Sequence, residues 1–108
     1  MVAVRESNST PLGAAARLAI GTGVAGLSIE DRDIENARLY DKCTALERLR
    51  AARHSIDQSR ENVLLVARTE ILLDEPGALS AAIDKLVAFA EVPSRILWKF
   101  GVAISPMQ

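Results

Sequence analysis

With one cysteine and one histidine in 108 residues, the chain lacks the material for two structural classes. Cys43 has no partner for an internal disulfide, and Cys43 with His54 cannot make up a zinc-finger ligand set. A reduced, cytoplasmic setting is the corresponding expectation. An excess of charge of either sign is also lacking: thirteen Lys and Arg stand against fourteen Asp and Glu, a net −1 with a pI near 5.8. No broad basic field exists to attract a phosphate backbone, so nucleic acid is not an expected partner. The most apolar window, residues 11–29 (PLGAAARLAIGTGVAGLSI), is broken by Arg17 and by glycines at 13, 21, 23 and 26. It reads as a short helix running through a glycine turn into a strand, not as a signal or membrane segment. Nor is the chain long enough for a complete eight-stranded α/β barrel, which takes roughly 250 residues. What is present, 49% apolar and 25% charged residues, is the composition of one soluble globular domain.

Thr10 followed by Pro11 reads as a helix start, with a hydroxyl at the N-cap and a ring at the first helical position. Leu12, Ala16, Ala19 and Ile20 share one face, and Gly21 and Gly23 end the helix. Val24–Ile29 is too short for a helix and reads as a strand covered on both sides. Its period of two sets Leu27 and Ile29 against Gly26, Ser28 and Glu30, which puts a carboxylate at the strand's C-terminal end. Asp31–Lys42 reads as a long loop with a helical turn at most. Thr44–Glu47 (TALE) fits a capping box for a helix to about Gln58, with Leu46, Leu49 and Ile56 inward and Lys42, Arg48, Arg50 and Arg53 largely outside.

Val63–Ala67 is a second apolar run, ending on Arg68, and strand–helix–strand with residues 31–62 between is a βαβ unit. Asp74, Glu75 and Pro76 mark the next helix start, with Leu79, Ile83, Leu86, Val87 and Ala90 as its apolar stripe and Pro93 as its stop. Arg95–Ile104 is a candidate third strand that holds Trp98 and Phe100, which belong either to a core strand or to an exposed apolar end. Cys43 reads as a small half-buried residue at the start of a helix, and His54 as a solvated helix residue without a nucleophile beside it. The arginines of residues 48–60 form a mildly basic face offset by Glu47, Asp57 and Glu61.

Two consecutive strands thus each deliver charge at their C-terminal ends: Glu30, followed by Asp31, and then Arg68. In parallel α/β architectures that edge collects ligand-binding side chains. Carboxylates suit a hard cation such as Mg²⁺, and a guanidinium suits bidentate binding of a carboxylate or phosphate. A solvated acidic loop with a structural Glu–Arg pair is the plainer reading of the same residues.

The segments GVAGLSIEDRD (23–33), LYD (39–41), ERLRAAR (47–53) and VLLVARTE (63–70) together resemble the isocitrate lyase and phosphoenolpyruvate mutase superfamily. The resemblance covers about Leu12 to Glu91. It implies a fragment of a (β/α)₈ barrel: two clear parallel strands with flanking helices and the candidate third, between an N-terminal tail (1–10) and an atypical C-terminal segment (92–108). It further implies Mg²⁺-dependent chemistry that makes or breaks C–C or P–C bonds in small oxo- and hydroxy-acids. Glu30, with Asp31 as a second candidate, would be the metal ligand, and Arg68 would bind the substrate carboxylate or phosphonate.

Two family features are missing. No aspartate-rich motif precedes Leu12, and no Lys-Lys-Cys-Gly-His loop follows the first strand, which sets the chain nearer the oxaloacetate or phosphonopyruvate branches than isocitrate lyase. After Glu91 the expected Ala-Gly-Ala-Asp gives way to Val92-Pro93-Ser94-Arg95, so a truncated or frame-altered barrel is the expectation. The isolated chain is then expected to be inactive. The alternative to an enzyme is an inactive barrel remnant that acts, if at all, through association with other chains. Open strand edges and uncovered Leu64 and Val66 point to self-association.

Overall fold

The computed structural model describes residues 1–7, 9–92 and 100–104, the last five by backbone alone. The Pro93 helix stop, Trp98 and the side chain of Phe100 lie outside them. In chain order the elements are β1 (Val2–Ala3), α1 (Leu12–Gly21), β2 (Gly26–Glu30), β3 (Arg32–Asp33), β4 (Arg38–Leu39), α2 (Lys42–Ser59), β5 (Leu64–Thr69), α3 (Ile71–Asp74), α4 (Leu79–Ala90) and β6 (Phe100–Ile104). Strands β1, β2, β5 and β6 form one parallel sheet in that order, and β3 pairs antiparallel with β4. The expected βαβ unit is there, with Gly26 opposite Leu64 and Glu30 opposite Arg68.

The sheet is wider than the sequence suggested. Val2–Ala3, in the segment read as a tail, pairs with Leu27 and Ser28, and the Val4 amide extends the ladder to the Ser28 carbonyl at 2.9 Å. The candidate third strand begins at Phe100 among the described residues and runs parallel to β5. Residues 31–42 are not a plain loop: they turn through the β3–β4 hairpin, closed by the Tyr40 amide on the Asp31 carbonyl at 2.9 Å.

Helix α1 buries Leu12, Ala16 and Ile20 as its spacing predicts, and Gly23 takes φ +83° just after it, where a side chain would be strained. Both expected caps are displaced. Pro11, with ψ 158°, is itself the N-cap of α1, and no side chain caps that helix. On α2 the cap is Asp41, whose carboxylate accepts the Thr44 amide at 3.4 Å, so Thr44 is the capped residue instead of the capping one. That bond holds the Asp41 carboxyl below its ordinary value, burial opposing it slightly. Cys43, expected half-buried, is exposed in the first turn of α2.

The faces of α2 and α4 also differ from expectation. On α2 the buried line is Ala45, Arg48, Leu49, Ala52, Arg53 and Ile56, so Arg48 and Arg53 lie inside. On α4 the buried residues are Ala82 and Phe89; of the expected stripe Leu86 packs half-buried against the core, while Leu79, Ile83 and Val87 are 50–55% exposed and Ala90 is exposed. On α2 Ala45 and Ala52 mark the covered side, because a small residue lets a helix approach its neighbour closely. Between sheet and helices Leu27, Leu49, Ile56 and Leu65 form the centre of the core, each worth roughly 1.5–3 kcal/mol of hydrophobic burial. Among the described residues no helix is long and apolar enough to cross a membrane.

Candidate functional site

Alternation along β2 and β5 separates the charged residues at their C-terminal ends into two groups. Leu65, Ala67 and Thr69 are buried against the helices, and Leu64, Val66 and Arg68 face the other side half-exposed. Glu30 is the register partner of Arg68 on that open side, and the Asp31 amide continues the ladder to the Arg68 carbonyl at 3.1 Å. Among the described residues no ion pair joins Glu30 to Arg68, so neighbouring strands present a carboxylate and a guanidinium side by side with neither consumed by the other.

Asp31 is turned the other way. Its side chain is 2% exposed, and one oxygen accepts the Thr69 hydroxyl at 2.6 Å and the Lys85 ammonium at 2.9 Å while the other accepts the Glu70 amide at 2.8 Å. This carboxylate is a tie between β2, β5 and α4, and those three bonds occupy its oxygens. Of the two candidate metal ligands, the geometry leaves Glu30 on the Arg68 side.

Glu70 follows directly on β5 and was not singled out by the sequence. Burial, then the charges of Glu30 and Asp31, hold its carboxyl above the ordinary 4.5, with Arg32 and Arg68 pulling the other way. A small cavity of about 30 Å³, room for about one water, is lined by Glu30 and Glu70 together with Val4, Arg5, Arg32, Ile34 and Arg48. Arg32 is held by Asp74 at 2.6 Å, which ties the β3–β4 hairpin to the end of α3.

Arg48, expected largely outside, is buried instead. Its guanidinium is 8% exposed and grips both Glu6 oxygens, Nε at 2.7 Å and Nη2 at 3.0 Å. Nη1 donates to the Glu30 carbonyl at 2.5 Å, and the group lies 4.3 Å from the Tyr40 ring centre. One buried cation thus fixes the end of β2, the segment after β1 and the end of the hairpin. Burial pushes the Glu6 carboxyl up, but its Arg48 hydrogen bond, its own backbone and the Arg48 charge outweigh that and leave it below 4.5. The spacing of Ala45, Arg48, Leu49 and Ala52 would have placed Arg48 inside had the alanines been read as core.

Among the described residues no group of three or more His, Cys, Asp or Glu is arranged to hold a metal ion. The donor set on the open face is the carboxylate pair Glu30 and Glu70. Mg²⁺ is commonly bound through one or two carboxylates, with water and substrate oxygens completing its shell, so the pair fits that ion only in company with a ligand. A cavity of about 750 Å³ lies elsewhere, at the N-terminal ends of β2 and β5 between the ends of α1 and α2, and does not include Glu30, Arg68 or Glu70.

The family model described as phosphoenolpyruvate phosphomutase matches residues 7–96. No curated protein matches the chain. Among solved structures, oxaloacetate acetylhydrolase in complex with the product oxalate superposes with a TM-score of 0.68 at 25% identity, over 76% of this chain and 28% of that one. 2,3-Dimethylmalate lyase, a PEP mutase/isocitrate lyase superfamily member, superposes at 0.72 with 20% identity, over 94% of this chain and 32% of that one. The chain therefore spans about a third of the length of these neighbours, and its parallel strands and flanking helices are part of a TIM-barrel fold.

Proposed function

The chain belongs to the phosphoenolpyruvate phosphomutase family, and from that membership we propose that it carries one wall of a site for a small oxo- or hydroxy-carboxylic acid. The observation that carries the reading is the register pair Glu30 and Arg68 at the C-terminal ends of adjacent parallel strands. Arg68 offers a planar pair of donors to a carboxylate or phosphonate. Glu30, with Glu70 nearby, would hold Mg²⁺. When bound, that ion supplies a positive charge that stabilises an oxygen anion developing on the acid, as in C–C or P–C bond making and breaking. Arg48 keeps the Glu30 backbone in place through its carbonyl. The oxalate bound by oxaloacetate acetylhydrolase makes a small dicarboxylate the first ligand to try.

The test is calorimetric titration of the 108-residue chain with oxalate, with and without Mg²⁺. Mg²⁺-dependent binding is expected. Arg68→Ala should weaken it by about 1.5–3 kcal/mol, roughly ten- to a hundredfold in Kd, and Glu30→Gln should remove the Mg²⁺ dependence. Equal binding by the wild type and Arg68→Ala would refute the assignment. Turnover of oxaloacetate, phosphonopyruvate or methylisocitrate is a separate matter. The described open face holds two carboxylates and one wall, which favours a second reading in which the chain by itself binds without turning over.

A further inference from the structure

Strand β1 leads a third charged residue to the place where Glu30 and Arg68 meet. The β1–β2 register sets Ala3 opposite Ser28, and the Val4 amide continues the ladder to the Ser28 carbonyl at 2.9 Å. Carried two residues past Ala3, the same register puts Arg5 opposite Glu30, as Glu30 is opposite Arg68. Alternation fixes its side: Val4 is buried in the core with Ile29, so Arg5, exposed, turns to the side of Glu30 and Arg68. The cavity linings agree, for Arg5 borders the small cavity together with Glu30 and Glu70. Three adjacent strands thus present guanidinium, carboxylate and guanidinium in a row, the outer two about 10 Å apart at Cα by the usual strand spacing.

Charge pairing singles out Arg5 further. Of the three arginines around the small cavity, Arg32 pairs with Asp74 and Arg48 with Glu6, and no ion pair engages Arg5 among the described residues. There is also room beside it. Arg5 borders a second cavity, about 440 Å³, between the segment after β1 and the β3–β4 hairpin, within the roughly 300–1,000 Å³ range of small-molecule pockets. Of the carboxylates around that cavity, Glu6 is held by Arg48 and Asp33 by the Asn36 amide, and Glu35 is exposed on the hairpin.

We infer that Arg5 is a specificity-determining residue of the acid site: it takes a second anionic group of the ligand, a carboxylate or phosphonate, while Arg68 takes the first. The ligand then lies across the ends of β1, β2 and β5, with an anionic group on each guanidinium and its middle over Glu30. Each guanidinium offers the same planar pair of donors, so the row separates acids by their number of anionic groups. An acid with a single carboxylate leaves Arg5 to water. The inference rests on the acid-binding reading of Glu30 and Arg68, and adds to it the residue that tells a dianionic acid from a monoanionic one.

Malate and lactate share a hydroxy-carboxylate end and differ in the second carboxylate, so the pair isolates Arg5. Calorimetric titration of the 108-residue chain with each acid in the presence of Mg²⁺ should show malate bound more tightly by roughly ten- to a hundredfold, the worth of one charge-assisted contact. Arg5→Ala should abolish that preference by weakening malate alone, whereas Arg68→Ala should weaken both acids. Arg38→Ala, which removes an exposed hairpin cation outside both cavities, should leave the preference intact and so exclude a mere effect of net charge. Should Arg5→Ala fail to fold, Arg5→Gln makes the same test with the side chain's polar end kept. Equal affinity of the wild type for the two acids, a malate preference that survives Arg5→Ala, or one lost equally in Arg38→Ala would overturn the inference. In those cases the acid-binding reading still stands if Arg68→Ala weakens both acids. Binding of neither acid, or binding indifferent to Arg68→Ala, would remove that reading and this inference with it.

Discussion

Asp31 shows how one residue's chemistry depends on the side of a strand it occupies. It follows Glu30 directly, yet its carboxylate is buried beneath α4 with Lys85, Thr69 and the Glu70 amide. Removing one partner of a buried charge pair leaves the other uncompensated, at a cost of roughly 3–5 kcal/mol. Asp31→Ala is therefore expected to lower the unfolding free energy read from urea denaturation by an amount near that range, and a loss under about 1 kcal/mol would mean that water already screens the pair. The Glu6–Arg48 contact makes a different prediction, about pH. The folded Glu6 carboxyl sits below its ordinary 4.5, so the contact's stabilisation is fully present above that value and is lost as pH falls through the lower folded value. Glu6→Gln should flatten the acid limb of a stability-versus-pH curve, and an unchanged limb would assign the acid sensitivity elsewhere.

At the scale of the element, α1 and α2 are held by close approach. Ser55 Oγ donates to the Gly13 carbonyl at 3.0 Å across the helix pair. Ser55→Ala should cost about 1 kcal/mol, the usual net worth of one hydrogen bond. Gly13 has room for more: an added Cβ would lie 3.5 Å from Ser55 Oγ, an ordinary contact. Gly13→Ala should then stabilise by about 0.5–1 kcal/mol through reduced freedom of the unfolded chain, read from chemical denaturation. A destabilisation there would show that the α1–α2 spacing cannot give by even a few tenths of an ångström. The same closeness explains why the helix faces were misread. Periodicity weighted by large aliphatic residues selects Leu79, Ile83 and Val87, but the covered side of α4 is Ala82 and Phe89, with Lys85 between them bonded to Asp31.

For the whole molecule, the radius of gyration of 13.3 Å is that of a compact domain of about a hundred residues. The described residues therefore hold a core of their own, centred on Leu27, Leu49, Ile56 and Leu65. Leu65→Ala, at the centre of that core and fully buried, should cost about 2–5 kcal/mol. Chemical denaturation reads that loss, and a cost under about 1 kcal/mol would mean that Leu65 is not at the centre of the core.

Local order along the chain was decided by the sequence. The glycine turn after α1, the apolar runs of β2 and β5, and the crossover between them follow from short-range spacing and chain length, as does the delivery of Glu30 and Arg68 to the same end of a parallel pair. The motifs that resemble the superfamily lie on those elements. Tertiary structure decided what depends on contacts distant in sequence: that Val2–Ala3 joins the sheet, that Arg48 is buried between Glu6 and Glu30, that Asp31 belongs to Lys85, and that Leu79, Ile83 and Val87 of α4 face outward while Leu86 packs against the core. Those contacts span tens of residues, and their free energy comes from burial and pairing that exist only once the sheet and helices have met.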